Sequence, residues 1–303
     1  MSHRFGHVAV LGPTNAGKST FLNRVIGQKI SIVSPKPQTT RNRITGILTT
    51  EQAQVVFLDT PGLHRQSRGI SPLLLRSAWN ALPMADVALL FFDARALAPK
   101  PNLLEAEARP LAKALGGDPM PVIVALNKVD AVRPKERLLP LLKEMALIFP
   151  QAEVFPISAL SGQGVDEVVA AVAARLPEGP PQYGEDEITT APVRFMAAEA
   201  VREKLFLALG QELPYGVAVE IESWDEQTNP AMPHISAVIY VPRTTHKGIV
   251  IGKGGEMLKK VGSEARAEIE ELVGGRVHLE LWVKVKPDWP GDKGFVRELG
   301  LGE

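Results

Sequence analysis

One eight-residue run constrains this chain more than any other: Gly12-Pro13-Thr14-Asn15-Ala16-Gly17-Lys18-Ser19, a complete G-x-x-x-x-G-K-[ST] match. The apolar His7-Val8-Ala9-Val10-Leu11 precedes it and a helical pattern through Ile26 follows, so the run falls where a strand turns into a helix. Glycines there let backbone N–H groups curl around phosphate oxygens, and the positive end of the helix adds attraction for an anion. Lys18 is placed to reach β- and γ-phosphates and the Ser19 hydroxyl to ligate Mg²⁺. Gly12, Asn15, Ala16, Gly17 and Thr20 complete the phosphate-binding set. The run commits the first part of the chain to a mostly parallel α/β sheet with a ligand at the carboxyl ends of its strands.

The identity of the base is read further on. Asn127-Lys128-Val129-Asp130 follows the short apolar run Val122 to Leu126, a buried strand by its length and composition. An ionised Asp130 only accepts hydrogen bonds, and guanine offers it N1–H and the 2-amino group while adenine offers neither. Sites built on such pairings discriminate by roughly 10⁴–10⁵. Asp59-Thr60-Pro61-Gly62 comes 41 residues after Lys18 and closes Val55-Val56-Phe57-Leu58. It places an acid near Mg²⁺ and the Gly62 amide near a γ-phosphate. Between these lies Gln38-Thr39-Thr40-Arg41; a threonine there completes the Mg²⁺ shell when the γ-phosphate is present, and Thr40 is preferred to Thr39. Ser158-Ala159-Leu160, after Val154-Phe155-Pro156-Ile157, sets a backbone amide near guanine O6. Lys18, Thr40, Asp59 and Gly62 are the residues expected to serve catalysis, with Ser19, Thr40 and Asp59 serving Mg²⁺.

Composition fits two soluble domains: 303 residues, 45% hydrophobic, and no apolar run near the roughly 18 residues of a membrane span. Without cysteine there is no disulfide or thiolate metal site, and the six histidines lack metal-ligand spacing. No signal-peptide core opens the sequence, so a cytoplasmic location is expected. The zero net charge hides a split: residues 1–180 carry 20 Lys+Arg against 14 Asp+Glu (+6), and residues 181–303 carry 14 against 20 (−6). The boundary is Pro177-Glu178-Gly179-Pro180-Pro181-Gln182-Tyr183-Gly184-Glu185-Asp186-Glu187, too poor in apolar surface to pack as an element. The expectation is a nucleotide domain at 1–177, a linker at 178–190 and a second domain at 191–303.

Residues 190–290 read as α-β-β-α-α-β: a helix from Val193 to Leu209, strands at Gly216–Ser223 and Ile235–Val241, two helices parted by glycines, and a strand from Arg276 to Val285. The break is Gly252-Lys253-Gly254-Gly255, a G-x-x-G loop of the kind that clamps the phosphates of about four nucleotides while their bases lie in an apolar groove. Ile249, Val250 and Ile251 are candidate groove walls. Arg243, Lys247, Lys253, Lys259 and Lys260 against Glu256 give +4 across residues 243–260, a basic face on an acidic domain.

The order G-K-S, T, D-x-x-G, N-K-x-D, S-A resembles the translation-factor class of GTPases over residues 7 to about 176. Leu63 stands where Ras-like members carry a water-orienting glutamine, and Asn15 matches the asparagine that potassium-stimulated relatives use as an ion ligand. Slow intrinsic hydrolysis, raised by K⁺ or by a partner surface, is therefore expected. With the second domain added, the chain resembles the Era family of ribosome-associated GTPases over nearly its whole length. The likeness rests further on Pro37-Gln38-Thr39-Thr40-Arg41, on Ile249 to Gly255 and on Trp282-Val283-Lys284-Val285-Lys286. It implies a P-loop GTPase domain followed by an α+β KH domain of type II, with Mg²⁺ and GTP/GDP bound. It also implies 16S rRNA gripped near its 3′ end, a role in assembling the small ribosomal subunit, and peripheral association with the inner face of the cell membrane. Nothing in the sequence points beyond a monomer. A rival reading keeps the GTP switch but turns the KH-like domain into a docking surface for proteins; an ordinary nucleotide kinase would need an acceptor pocket and a base that the motifs do not supply.

Overall fold

The computed structural model describes residues 3–36, 39–63, 79–116, 119–210 and 213–299. Pro37 and Gln38 of the threonine segment lie outside them. The chain forms two compact units.

In the first unit the strands are β1 (Arg4–Leu11), β2 (Ile44–Thr49), β3 (Ala53–Asp59), β4 (Val87–Asp93), β5 (Val122–Asn127) and β6 (Glu153–Pro156). They make one sheet in the order β2-β3-β1-β4-β5-β6, parallel throughout except for β2 against β3. Helices α1 (Lys18–Ile26), α2 (Ala94–Leu97), α3 (Asn102–Leu115), α4 (Leu138–Ile148) and α5 (Val165–Ala173) connect and cover it. Strand β3 is buried along its whole length, as the unbroken apolar run leading to Asp59 requires of a strand covered on both faces. Val10 pairs with Asp59 and Asp93 with Asn127, so the register brings three motif-bearing strand ends to one edge.

Residues 178–190, expected as a linker, are laid along this first unit. Gly179 N–H donates to the His3 carbonyl, Ile47 N–H to that of Ile188, and the Thr189 hydroxyl to that of Thr45. The fully buried Gln54 accepts from the Gln182 and Tyr183 amides and donates to the Tyr183 carbonyl. A stretch with little apolar surface is held here by backbone hydrogen bonds and one buried amide, which composition does not reveal.

The second unit holds residues 191–303 together with 32–39. Its elements are α6 (Val193–Ala208), β7 (Ala218–Asp225), β8 (His234–Val241), α7 (Thr244–Ile251), α8 (Glu256–Val273), β9 (His278–Val285) and α9 (Lys293–Glu298). Strand β8 is central, antiparallel to β7 and parallel to β9. One face packs Ile235, Ile239 and Val283 against Ala197, Val201, Leu205, Val261, Ala265 and Ile269 of the helices. On Ala218 and Tyr240 sits a second cluster of Trp289, Phe295 and Val296, with the Trp289 indole N–H donating to the Gly216 carbonyl at 3.0 Å.

Candidate nucleotide site and RNA-facing loop

Strand β1 ends in a loop whose glycines cannot be replaced. Gly12 has φ 145° and Gly17 φ 97°; a Cβ would lie 2.3 Å from the Phe91 carbonyl oxygen at Gly12 and 2.1 Å from Asn127 Nδ2 at Gly17. Asn15 is also in the left-handed region, at φ 61°. Lys18 opens α1 and is 6% exposed, its Nζ donating to the Gly12 and Pro13 carbonyls at 3.1 Å each. Burial pushes this amine down to about 8, with Asp59 pulling the other way.

Asp59 is fully buried at the end of β3, and burial raises its carboxyl above the usual range. Its Oδ2 accepts from the Ser19 hydroxyl at 2.7 Å and from the Ser31 hydroxyl at 3.1 Å, while Oδ1 is buried without a hydrogen-bond partner among the described residues. Ser19 Oγ also lies 2.9 Å from Thr40 Oγ1. Two hydroxyls and a carboxylate with an unused buried oxygen form a hard oxygen set suited to Mg²⁺ and its waters. Thr39 is turned elsewhere: its hydroxyl donates to the Lys36 carbonyl at 2.8 Å and meets Ser34 Oγ at 2.8 Å. The D-x-x-G turn closes onto the phosphate loop, since Leu63 N–H donates to the Gly12 carbonyl at 3.0 Å and a Cβ on Gly62 would lie 2.6 Å from Thr14 Cα. The Leu63 side chain leans on the sheet's core.

At the end of β5, Asn127 is 2% exposed and both ends of its amide are engaged. Nδ2 donates to the Ala16 carbonyl at 2.8 Å and Oδ1 accepts from Ala159 N–H at 2.9 Å. The Ala159 amide thus ties the S-A loop to Asn127, and Asn127 ties that loop to the phosphate loop. Lys128 (φ 64°) donates to the Asn15 carbonyl and to Asp93 at 2.6 Å, laying its stem across the same loop. Asp130 follows in a half-buried turn over Val129–Ala131. Ser158 is buried, and Leu160 is 73% exposed. Three residues escaped the motifs: Ser31, Asp93, and Arg24, whose guanidinium binds the Ala159 and Leu160 carbonyls. Asp93 alone carried a signal, as an acid ending the apolar run before Val122 to Leu126.

In the second unit the G-x-x-G loop joins α7 to α8. Gly252, Gly254 and Gly255 have φ of 76°, 60° and 83°. A Cβ on Gly252 would lie 2.7 Å from that of Met257, whereas at Gly254 and Gly255 it would meet nothing within 4 Å. Arg243, Lys253, Lys259 and Lys260 are exposed and Lys247 is half-buried; Lys260 lies 3.9 Å from Glu264. Of the three expected groove walls, Ile249 is 48% exposed and Ile251 is partly covered. Val250 is not a wall: it is fully buried in the core of its own unit, because a helix turns consecutive residues by about 100°.

A family described as 50S ribosome-binding GTPase matches residues 7–128, and one described as KH domain matches residues 212–290. GTPase Era of Nitratidesulfovibrio vulgaris (strain DSM 19637 / Miyazaki F) is 53% identical over 301 residues, covering 99% of this chain and 98% of the relative. GTPase Era of Carboxydothermus hydrogenoformans is 41% identical over 304 residues, covering 100% and 99%. A solved Era in complex with MgGDPNP and nucleotides 1506–1542 of 16S ribosomal RNA superimposes with a TM-score of 0.89 at 40% identity, covering 98% of this chain and 99% of that one. A single-residue variant of Aquifex aeolicus Era bound to GDP·AlF4⁻ gives the same TM-score, identity and coverage. Two glycine–lysine loops in one chain, matched end to end by such relatives, place this protein in the Era family of GTPases.

Proposed function

We propose that this GTPase is a switch that binds 16S rRNA near its 3′ end through the KH unit and assists assembly of the small ribosomal subunit. One observation carries the reading. Asn127 bonds the N-K-x-D strand end to the phosphate loop at Ala16, in the same chain as an open G-x-x-G loop between two helices. The relative solved with 16S rRNA nucleotides and MgGDPNP supports it.

In this reading Gly12, Asn15, Ala16, Gly17, Lys18, Ser19 and Thr20 cradle the phosphates, and Asp130 selects guanine. Asn127, Lys128 and Ser158–Leu160 hold the base loops in place. Mg²⁺, when bound, supplies positive charge to the phosphate oxygens. Ser19, Thr40 and Asp59 would hold it; Thr40 rather than Thr39 is supported by the 2.9 Å approach of its hydroxyl to Ser19. Lys18 brings a second positive charge into a buried site, where it acts with little screening. The Gly62 amide is offered to the γ-phosphate from a turn already bonded to Gly12 through Leu63. Leu63 neither donates nor accepts from its side chain, which favours slow intrinsic turnover. Asn15 in the left-handed region is the candidate K⁺ ligand, and exchanging K⁺ for Na⁺ in a hydrolysis assay tests it. Arg243, Lys247, Ile249, Ile251, Gly252, Lys253, Gly254, Gly255, Lys259 and Lys260 form the RNA-facing set. The protein is monomeric and cytoplasmic, with peripheral contact at the inner membrane face.

The test is reciprocal. A GTP analogue should tighten binding of a 16S 3′-end fragment, and that RNA should tighten the analogue by the same factor. Independence of the two affinities would end the switch; absence of RNA binding would end the KH assignment.

A further inference from the structure

Ser31 stands in no sequence motif, yet it is 2% exposed and its hydroxyl lies against the fully buried Asp59. Its Oγ donates to Asp59 Oδ2 at 3.1 Å, beside the 2.7 Å bond from the Ser19 hydroxyl to the same oxygen. What places Ser31 is helix α1. The helix ends at Gly27, in the left-handed region at φ 76°, and the chain returns to it at residues 30 and 31. There Asn23 Oδ1 accepts from the Ile30 and Ser31 amides at 3.0 and 2.9 Å, and Asn23 Nδ2 donates to the Ser31 carbonyl at 2.7 Å. One side-chain amide on α1 thus supplies the partners that strand pairing would otherwise give this segment. Ser19, Asn23, Ser31 and Asp59 all belong to the first compact unit.

The end of an aspartate side chain turns about a broad, roughly two-fold torsion. Two hydroxyl donors on one oxygen remove that freedom and leave Oδ1, which is buried without a hydrogen-bond partner among the described residues. The two donors are not equivalent. A hydroxyl has one proton and two lone pairs, so Ser19 can donate to Asp59 and still give a lone pair to Mg²⁺. Its duty is shared with the metal, whereas Ser31, clamped by Asn23, serves the carboxylate alone. We propose that Ser31 is a positioning residue for the metal site: it holds Asp59 Oδ2 so that Ser19 and Asp59 Oδ1 are already arranged when Mg²⁺ arrives. The inference rests on the reading in which Ser19 and Asp59 serve Mg²⁺.

The test uses full-length protein bound to a non-hydrolysable GTP analogue, with Mg²⁺ affinity read by calorimetry and analogue affinity read separately in EDTA. Ser31→Ala should raise the Mg²⁺ needed for half-saturation about tenfold, the weight of one hydrogen bond to a charged group, and leave metal-free affinity within about twofold of the parent. Asn23→Ala, which leaves the hydroxyl but frees its backbone, should move Mg²⁺ affinity in the same direction. The double variant should be no worse than Ser31→Ala alone, because both act through one bond. Unchanged Mg²⁺ affinity in Ser31→Ala would overturn the proposal. So would equal losses with and without metal, which mark a general loosening of the loop, or a double variant showing the product of the separate effects. Asp59→Asn with unaltered Mg²⁺ affinity would instead remove the metal reading itself, and this inference with it.

Discussion

The chain carries two loops of glycine and lysine, each leading into a helix, and they are built oppositely. Around Gly12–Ser19 everything converges: Lys18 is buried, Asn127 stands where a Cβ of Gly17 would go, and Gly62 abuts Thr14. Around Gly254 and Gly255 the space is open, and Lys253 is exposed. A closed loop suits one ligand of fixed shape, since buried charges there are strong and mismatches costly. An open loop suits a polymer, which must enter from the side and is held by screened contacts to its backbone.

Breaking the closed loop should give the largest effects. Asp130→Asn should shift preference from GTP to xanthosine triphosphate by roughly 10⁴, read by competition binding. Lys18→Ala should weaken GTP by about 3 kcal/mol, roughly a hundredfold, while leaving RNA binding without nucleotide unchanged. Gly254→Asp probes the other loop. Aspartate tolerates φ 60° and meets no neighbour there, so the fold should survive. RNA affinity should fall about tenfold in filter binding through repulsion of phosphates, with hydrolysis of free GTP within about twofold of the parent.

Smaller effects sharpen the contrast. With an amine near 8, much of Lys18 is neutral above that pH in the free protein, whereas phosphate favours the charged form. GTP binding should therefore take up a proton, and affinity should fall severalfold between pH 8 and 9, read by calorimetry in buffers of different ionisation heat. For the nucleotide-free fold the sign is opposite. A lysine pKa lowered on folding contributes stability that is full above its unfolded value of 10.5 and is lost as pH falls through about 8. Lys253→Ala should lower the salt dependence of RNA binding by about 0.7 in the log–log slope and leave that of GTP binding unchanged.

Both loops were legible because each is a contiguous run whose glycines and lysine act through local backbone, and five motifs in fixed order named the base. Their mutual bonds were not legible. Asn127 belongs to the motif that names the base, and its amide joins Ala16 to Ala159 across 111 and 32 residues. Val250 reads as a groove wall and is core, because helical spacing shows which residues share a face but not what covers it.

The sequence by itself determined a GTPase fold, a KH unit after it and the location of both glycine–lysine loops. Those properties follow from residue types at short spacings, where backbone geometry leaves little freedom. Only tertiary structure decided that Thr40 rather than its neighbour meets Ser19, that the Pro- and Gly-rich stretch after Pro177 is pinned along the first unit, and that residues 32–39 belong to the second. Such outcomes depend on which buried polar groups find partners, and the partners lie far apart along the chain.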